Sequence, residues 1–178
     1  MYMSLMIRLV MPTMEYEDGI RDFRREFLDS GSKAEGSGNL LRYEDNGEWL
    51  DYLRIRSSAD TAPAGTVPFT QYIAVRKEDG KVIGALQIRH YLKGDFALYA
   101  GHIGYSVRPS ERRKGYGTQM LRLALQRCRD MGIDRVMISC VDTNEASRRT
   151  ILKCGGVFYS TYYYSAADQT IEKYWIAL

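Results

Sequence analysis

The sequence predicts one mixed α/β domain, in which a mostly antiparallel, twisted sheet is flanked by about four helices. Three observations carry this prediction. Short runs of branched and aromatic residues separated by turn signals recur from residue 69 onward, stretches with apolar residues every three or four positions alternate with them, and no repeat or compositional break divides the chain. At 178 residues, 45% hydrophobic and 26% charged, the chain suits a single core spanning residues 1–178.

In chain order, "MYMSLMIRLVMP" reads as a first strand. Arg8 within it, its short length and the lack of a small-residue cleavage site speak against a membrane span or a leader. "PTMEYEDGIRDFRREFLDSG" places Ile20, Phe23 and Phe27 at helical spacing and stops at Ser30-Gly31. Residues 30–68 read as an irregular, adaptable region, with a second helix in "NGEWLDYLRIRS". From Pro68, "FTQYIAVRK", "KVIGALQIRHYL" and "ALYAGHIGYSVRP" form three antiparallel strands around the turns "EDG" and "LKGD".

Met120, Leu121, Ala124, Leu125, Cys128 and Met131 then mark one face of a third helix, stopped near Gly132. "RVMISCV" is a strand, "TNEASRRTILKC" a helix closed by Gly155-Gly156, and "VFYSTYYYS" and "IEKYWIAL" are two last strands around "AADQ", all on one sheet.

A net charge of +3 is too small for bulk nucleic-acid binding, so no nucleic-acid and no membrane partner is expected. Cys128, Cys140 and Cys154 are odd in number and lack metal-ligand spacing. They read as small core residues in a reducing, cytoplasmic setting, with no metal.

The basic residues cluster in "VRPSERRKGYGT", residues 107–118, and again at Arg148, Arg149 and Lys153. A glycine-rich turn that opens a helix presents unpaired N–H groups at the positive end of the helix dipole, and Gly115 and Gly117 let an anion approach them. The Walker spacing is absent. The dinucleotide fingerprint fails where it needs a third glycine, at Met120. Singly, Arg112, Arg113 and Lys114 also fit a solvated turn, and Asn144 also fits a helix cap.

Arg112-Arg-Lys-Gly115-Tyr-Gly117 resembles the acyl-CoA signature (Gln/Arg)-x-x-Gly-x-(Gly/Ala) of the GNAT superfamily of N-acetyltransferases. The context adds to it: a strand ending at Val107, then Pro109, the motif, an amphipathic helix, a strand and "NEASRRTILKCGGVF", similar to the superfamily's later segment. The resemblance covers residues 69–178, with the acyl-CoA core about 69–158, and the whole chain is most similar to a bacterial branch of the superfamily.

It implies the acyl-CoA N-acyltransferase fold, acetyl-CoA as co-substrate and an amine acceptor, with a small molecule favoured over a protein. It places pyrophosphate on Arg112, Arg113, Lys114, Gly115, Tyr116, Gly117 and Thr118. The pantetheine arm falls beside Tyr105, Ser106 and Val107, near Asn144 and Ser147.

Acyl transfer to an amine needs a neutral nucleophile and a stabilised oxyanion. By the same resemblance the Val107 N–H is the oxyanion candidate. His102, on the strand leading into the motif, is the candidate base, with a hydrogen-bonded strand histidine as the alternative. His90 is placed to neighbour it across the hairpin. Where many relatives carry a tyrosine able to protonate sulfur, this chain has Ile151, so that role does not transfer. Tyr159, Tyr162, Tyr163 and Tyr164 on the next strand read as core or rim packing.

Glu35, Glu44, Asp45, Glu48 and Asp51, interleaved with Tyr43, Trp49 and Tyr52, fit either an acceptor site or a solvated helix face. Two other readings stay open: a non-catalytic acyl-CoA-binding module, and arginine-mediated nucleic-acid binding. A homodimer through the sheet edges is also open.

Overall fold

A computed structural model describes residues 6–178. Residues 1–5 of the expected first strand lie outside the described residues. The rest forms β1, Ile7–Val10, whose Ile7 and Leu9 face the core while Arg8 faces solvent. α1, Glu17–Ser30, buries Ile20, Phe23 and Phe27 on one stripe and ends at Gly31 in the left-handed region (φ 64°). α2, Asn46–Arg56, begins at Asp45, whose carboxylate accepts from the Glu48 N–H, and it buries Trp49 and Leu53.

The strands β2 (Phe69–Arg76), β3 (Val82–Arg89) and β4 (Ile103–Val107) follow β1 in an antiparallel sheet of order β1-β2-β3-β4. After α3 (Tyr116–Asp130) come β5 (Arg135–Val141), α4 (Glu145–Lys153), β6 (Val157–Tyr164) and β7 (Gln169–Ala177). The last three strands form a second antiparallel sheet of order β5-β7-β6. α1 and α2 cover one face of the first sheet over Phe69, Ile73, Val75, Val82 and Ala85. α3 covers the other face, in a larger core that also takes in Val136, Ile138, Ile151, Tyr174 and Ile176.

The mixed α/β class and element order match the expectation. The sheet is more divided than the single one expected. Among the described residues its two ladders meet only at an isolated bridge, Gly101 to Ile138, and β4 and β5 do not pair beyond it.

The strand expected from residue 97 also starts late. Phe96–Ala100 form one π-helical turn, because Gly101 (φ 73°) breaks the extended chain and Tyr99 stacks on Tyr164 and Tyr162, with ring centroids 4.6 and 6.1 Å away. Ser139 fixes the turn by donating to the Tyr99 carbonyl at 2.6 Å. Tertiary stacking here outweighs the strand propensity of an aromatic run.

The segment between α1 and α2 is strapped to the first sheet. Gln71 donates its amide to Gly36 O (2.8 Å) and Leu86 O (3.0 Å), and Trp49 Nε1 donates to Gly38 O at 2.9 Å. Gly36 presses on β4 so closely that a Cβ there would meet Gly104 O at 2.1 Å, in a backbone with φ of +70°. Gly36→Ala is therefore expected to lower unfolding stability by about 2 kcal/mol or more through overpacking and backbone strain. Gly31→Ala, with open space around it, should cost less, and urea midpoints at unchanged slope measure both.

Candidate functional site

The site grows from the alternation of β4. The Arg89 N–H donates to His102 O (2.7 Å) and the Arg108 N–H to Ile83 O (2.9 Å), so even-numbered residues of this strand turn their backbone groups toward β3. Ile103, Tyr105 and Val107 consequently point theirs the other way, into the gap where β4 and β5 part. Among the described residues no strand pairs with this edge, which leaves it open to an extended ligand. Ser106 does not share it: its backbone faces β3 and its buried hydroxyl points to the α1–α2 side.

The loop beyond Val107 is held from below by a buried carboxylate. Glu111 receives Arg76 (3.0 Å), Lys81 (2.8 Å) and Lys114 (2.9 Å), and Arg76 also donates to the Tyr116 hydroxyl at 3.3 Å. Hydrogen bonds from Lys81 and Lys114 lower the Glu111 pKa to about 2. Beside it, Arg108 pairs with Glu26 at 2.7 Å, and the Ser110 N–H donates to Glu26 at 2.6 Å. Burial alone would raise the Glu26 pKa, but the Ser110 bonds and the Arg108 charge lower it on balance.

On this base Arg113 (φ 65°) and Gly115 (φ 82°) adopt left-handed conformations, Gly115 serving as the N-cap of α3. Such turns direct successive N–H groups to one side, and the first amides of α3 add to them. The nearest atoms a Cβ at Gly117 would meet belong to Thr150, Tyr105 and Val107 at 3.7–3.8 Å, so this glycine leaves room against the β4 edge.

The predicted residues thus divide by role. Arg112 is exposed, donates to Val107 O at 3.2 Å and lies 5.8 Å from the Phe27 ring centroid; Arg113 is exposed; Lys114 is engaged by Glu111. The Tyr116 side chain is buried, leaving only its amide to the loop. Thr118 lies half-buried in the first turn of α3. Asn144 Oδ1 caps α4 by accepting from the Ser147 N–H (3.1 Å), and the Ser147 hydroxyl meets the Tyr105 hydroxyl at 3.2 Å across the cleft. Burial raises the Tyr105 pKa and keeps the phenol protonated.

His102 is buried, and its Nδ1 accepts the Met137 N–H at 3.0 Å while its own backbone N–H donates to Met137 O at 2.7 Å. Nε2 then carries the proton of the neutral ring, and no lone pair remains free. Desolvation lowers its pKa further. Of the two readings open for this residue, the geometry matches the hydrogen-bonded strand histidine. His90 is not its neighbour, since Arg89 lies opposite His102 and His90 bonds Thr70 at 2.9 Å.

Ile151 is fully buried in the core. Tyr162 and Tyr164 stack on Tyr99, while Tyr159 and Tyr163 are exposed rather than core.

Arg148 of the second basic group pairs with Glu172 (2.7 Å) and Arg149 with Glu145, so these cations are already matched. The cysteines are unpaired, and burial pushes Cys128 up to about 12 and Cys140 to about 11. Among the described residues no group of three or more His, Cys, Asp or Glu is placed to hold a metal, and no helix is long and apolar enough to cross a membrane.

Sequence reading missed Glu111 and Arg89. Glu111 looked like one acid in a basic loop. Arg89 lies half-buried at the end of β3, its Nη1 donating to Gly101 O at 2.9 Å and its guanidinium 4.9 Å from the Phe96 ring centroid. Burial lowers its pKa.

The model of the acetyltransferase (GNAT) family matches residues 5–156. No curated protein matches the sequence. Solved structures share the fold. The ribosomal-protein-S5-alanine acetyltransferase from Vibrio fischeri superposes with a TM-score of 0.71 at 15% identity, over 99% of this chain and 95% of that one. RimJ from Mycobacterium smegmatis in complex with CoA-disulfide gives 0.71 at 17%, over 96% and 81%. The microcin C7 self-immunity acetyltransferase MccE, in complex with acetyl-CoA and AMP, gives 0.68 at 17%, over 97% and 92%.

The Glu111 cluster yields a pH signature. Its carboxylate titrates at about 2 in the fold against 4.5 in water, so its stabilisation is complete above pH 4.5 and is lost as pH falls toward 2. Glu111→Gln should cost about 2–3 kcal/mol at pH 7, less than a sealed pair because Lys114 is half exposed. Urea unfolding between pH 3 and 7 should show a shallower pH slope in the variant.

Proposed function

The chain belongs to the GNAT family of acetyltransferases, and we propose that it transfers the acetyl group of acetyl-CoA to a primary amine of a small acceptor by direct attack on the thioester. The observation that carries this reading is the outward row of β4 backbone groups running into the positive-φ loop at Arg113 and Gly115. The residues present fit the donor: amides for a pyrophosphate, a free strand edge for an amide-bearing arm, and a glycine where bulk would intrude. Acetyl-CoA supplies an activated acyl carbon to the site.

In this reading the loop from Arg112 to Thr118 binds the diphosphate through its amides, with Arg113 adding the least encumbered charge. The backbone of Tyr105 and Val107 pairs with the pantetheine amides, and the Asn144 amide reaches the same arm. The Val107 N–H is the candidate donor to the oxygen that gains charge as the amine adds. The new C–N bond forms as the C–S bond breaks, and sulfur leaves as a thiolate, which a thiol pKa near about 8.5 makes feasible without an acid. Ile151, sealed in the core, supplies none.

His102 positions the two sheets and takes no proton, so water or the acceptor site receives the ammonium proton. The three free cysteines support a reducing, cytoplasmic setting. β6, the free edge of the second sheet with exposed Val157, Phe158 and Tyr159, supports pairing with a second copy.

Thiol release from acetyl-CoA with a panel of primary amines tests the proposal, and no release with any amine overturns it. Gly117→Trp should abolish acetyl-CoA binding measured by calorimetry, whereas unaltered affinity would refute the loop assignment. kcat/KM should rise with pH toward the acceptor's amine pKa, near about 10.4 for a lysine-like amine. In His102→Gln the profile between pH 6 and 9 should keep its shape, while a lost inflection near neutrality would restore histidine as the base.

A further inference from the structure

We propose that the acceptor is a primary amine that also carries an oxyanion, a carboxylate or phosphate, and that Arg89 with Arg42 holds this anion in the pocket between residues 33–42 and the end of β3. The inference rests on the acetyl-transfer reading for its amine and on the pocket for its anion. The pocket, of about 300 Å³, is floored by Gln87 and Arg89 and walled by the strapped segment that carries Lys33, Glu35 and Arg42. Gln87 and Arg89 lie opposite Gly104 and His102 on β4. Neighbouring strands run about 4.8 Å apart, so an anion on Arg89 sits within a small acceptor's length of the outward β4 edge.

Charge supplies the second step. Three cations line the pocket against one carboxylate, the exposed Glu35. Arg76 meets Glu111 and Asp79, Arg108 meets Glu26, and Arg148 meets Glu172, while the half-buried Arg24 ends on Tyr43 O and Asn46 Oδ1, outside this pocket. Arg89 instead ends on the Gly101 carbonyl and the Phe96 ring, with no carboxylate within ion-pair distance among the described residues. The exposed Glu35 offsets this half-buried guanidinium only from beyond ion-pair distance, so an arriving oxyanion can still pair directly with the remaining N–H fork. The two contacts also hold the fork still before the ligand arrives, which lowers the entropy lost on binding. Glu35, the one acid lining the pocket, is left to meet the ammonium end.

Calorimetric titration of the CoA-saturated protein with two matched pairs, leucine against leucinamide and phosphoethanolamine against ethanolamine, tests the anion site without turnover. The anionic member of at least one pair should bind about tenfold tighter or more. Arg89→Gln and Arg42→Gln should each erode that preference. If Arg89→Gln fails to fold by circular dichroism, Arg42→Gln decides alone. Equal affinities within both pairs, no binding of either anionic probe, or an undiminished preference in the folded variants would overturn the proposal. Thiol release with the same amines reads the transfer reaction separately: selective binding without turnover of any amine upholds the anion site and sinks the acetyl-transfer reading. Equal turnover of neutral and anionic members with equal affinities does the reverse.

Discussion

The reciprocal bonds between His102 and Met137 govern how the two sheets of this molecule meet and part. One backbone N–H goes each way, from His102 to the Met137 carbonyl and from Met137 to the imidazole. The ring thus takes the place of the strand carbonyl that would otherwise continue a ladder. Pairing stops there, β4 and β5 separate, and among the described residues the odd-numbered backbone groups of β4 have no strand partner, the Val107 carbonyl being reached only by the Arg112 side chain. Leaving such groups unpaired inside a fold costs free energy. A ligand with amides of its own can offset that cost, which ties a folding defect to a binding edge.

The loop that receives this edge is rigid for a different reason. Its cations would repel one another if they hung freely, yet Lys114, Arg76 and Lys81 converge on Glu111 beneath it. The acid neutralises the base of the loop and leaves Arg113 and the amides near Gly115 facing outward. Basic residues in the motif therefore divide: Lys114 helps build the loop, and Arg113 stays exposed.

On the other face of β4 the glycine contact between Gly36 and Gly104 brings the segment before α2 down to the strand, with Gln71 and Trp49 fixing it. The outward β4 edge and the pocket proposed for the acceptor's anion then lie about the width of one or two strands apart.

The order of helices and strands was legible in the sequence, because apolar periodicity and turn residues are local signals. So was the loop, whose spacing of Arg112, Gly115 and Gly117 ahead of an amphipathic helix is itself local. Long-range pairing was not legible. Nothing in "ALYAGHIG" reveals that Tyr99 will stack on Tyr162 and Tyr164 and bend the chain into a π-turn. The same holds for His102, whose Nδ1 partner lies 35 residues away, and for Arg89, whose guanidinium ends on the Gly101 carbonyl and the Phe96 ring. Local sequence was enough for the elements and for the glycine-rich loop ahead of α3. Folding alone settled which histidine atoms were free, which cations were already matched and where β4 stopped pairing, since each depends on residues that meet only in the folded chain.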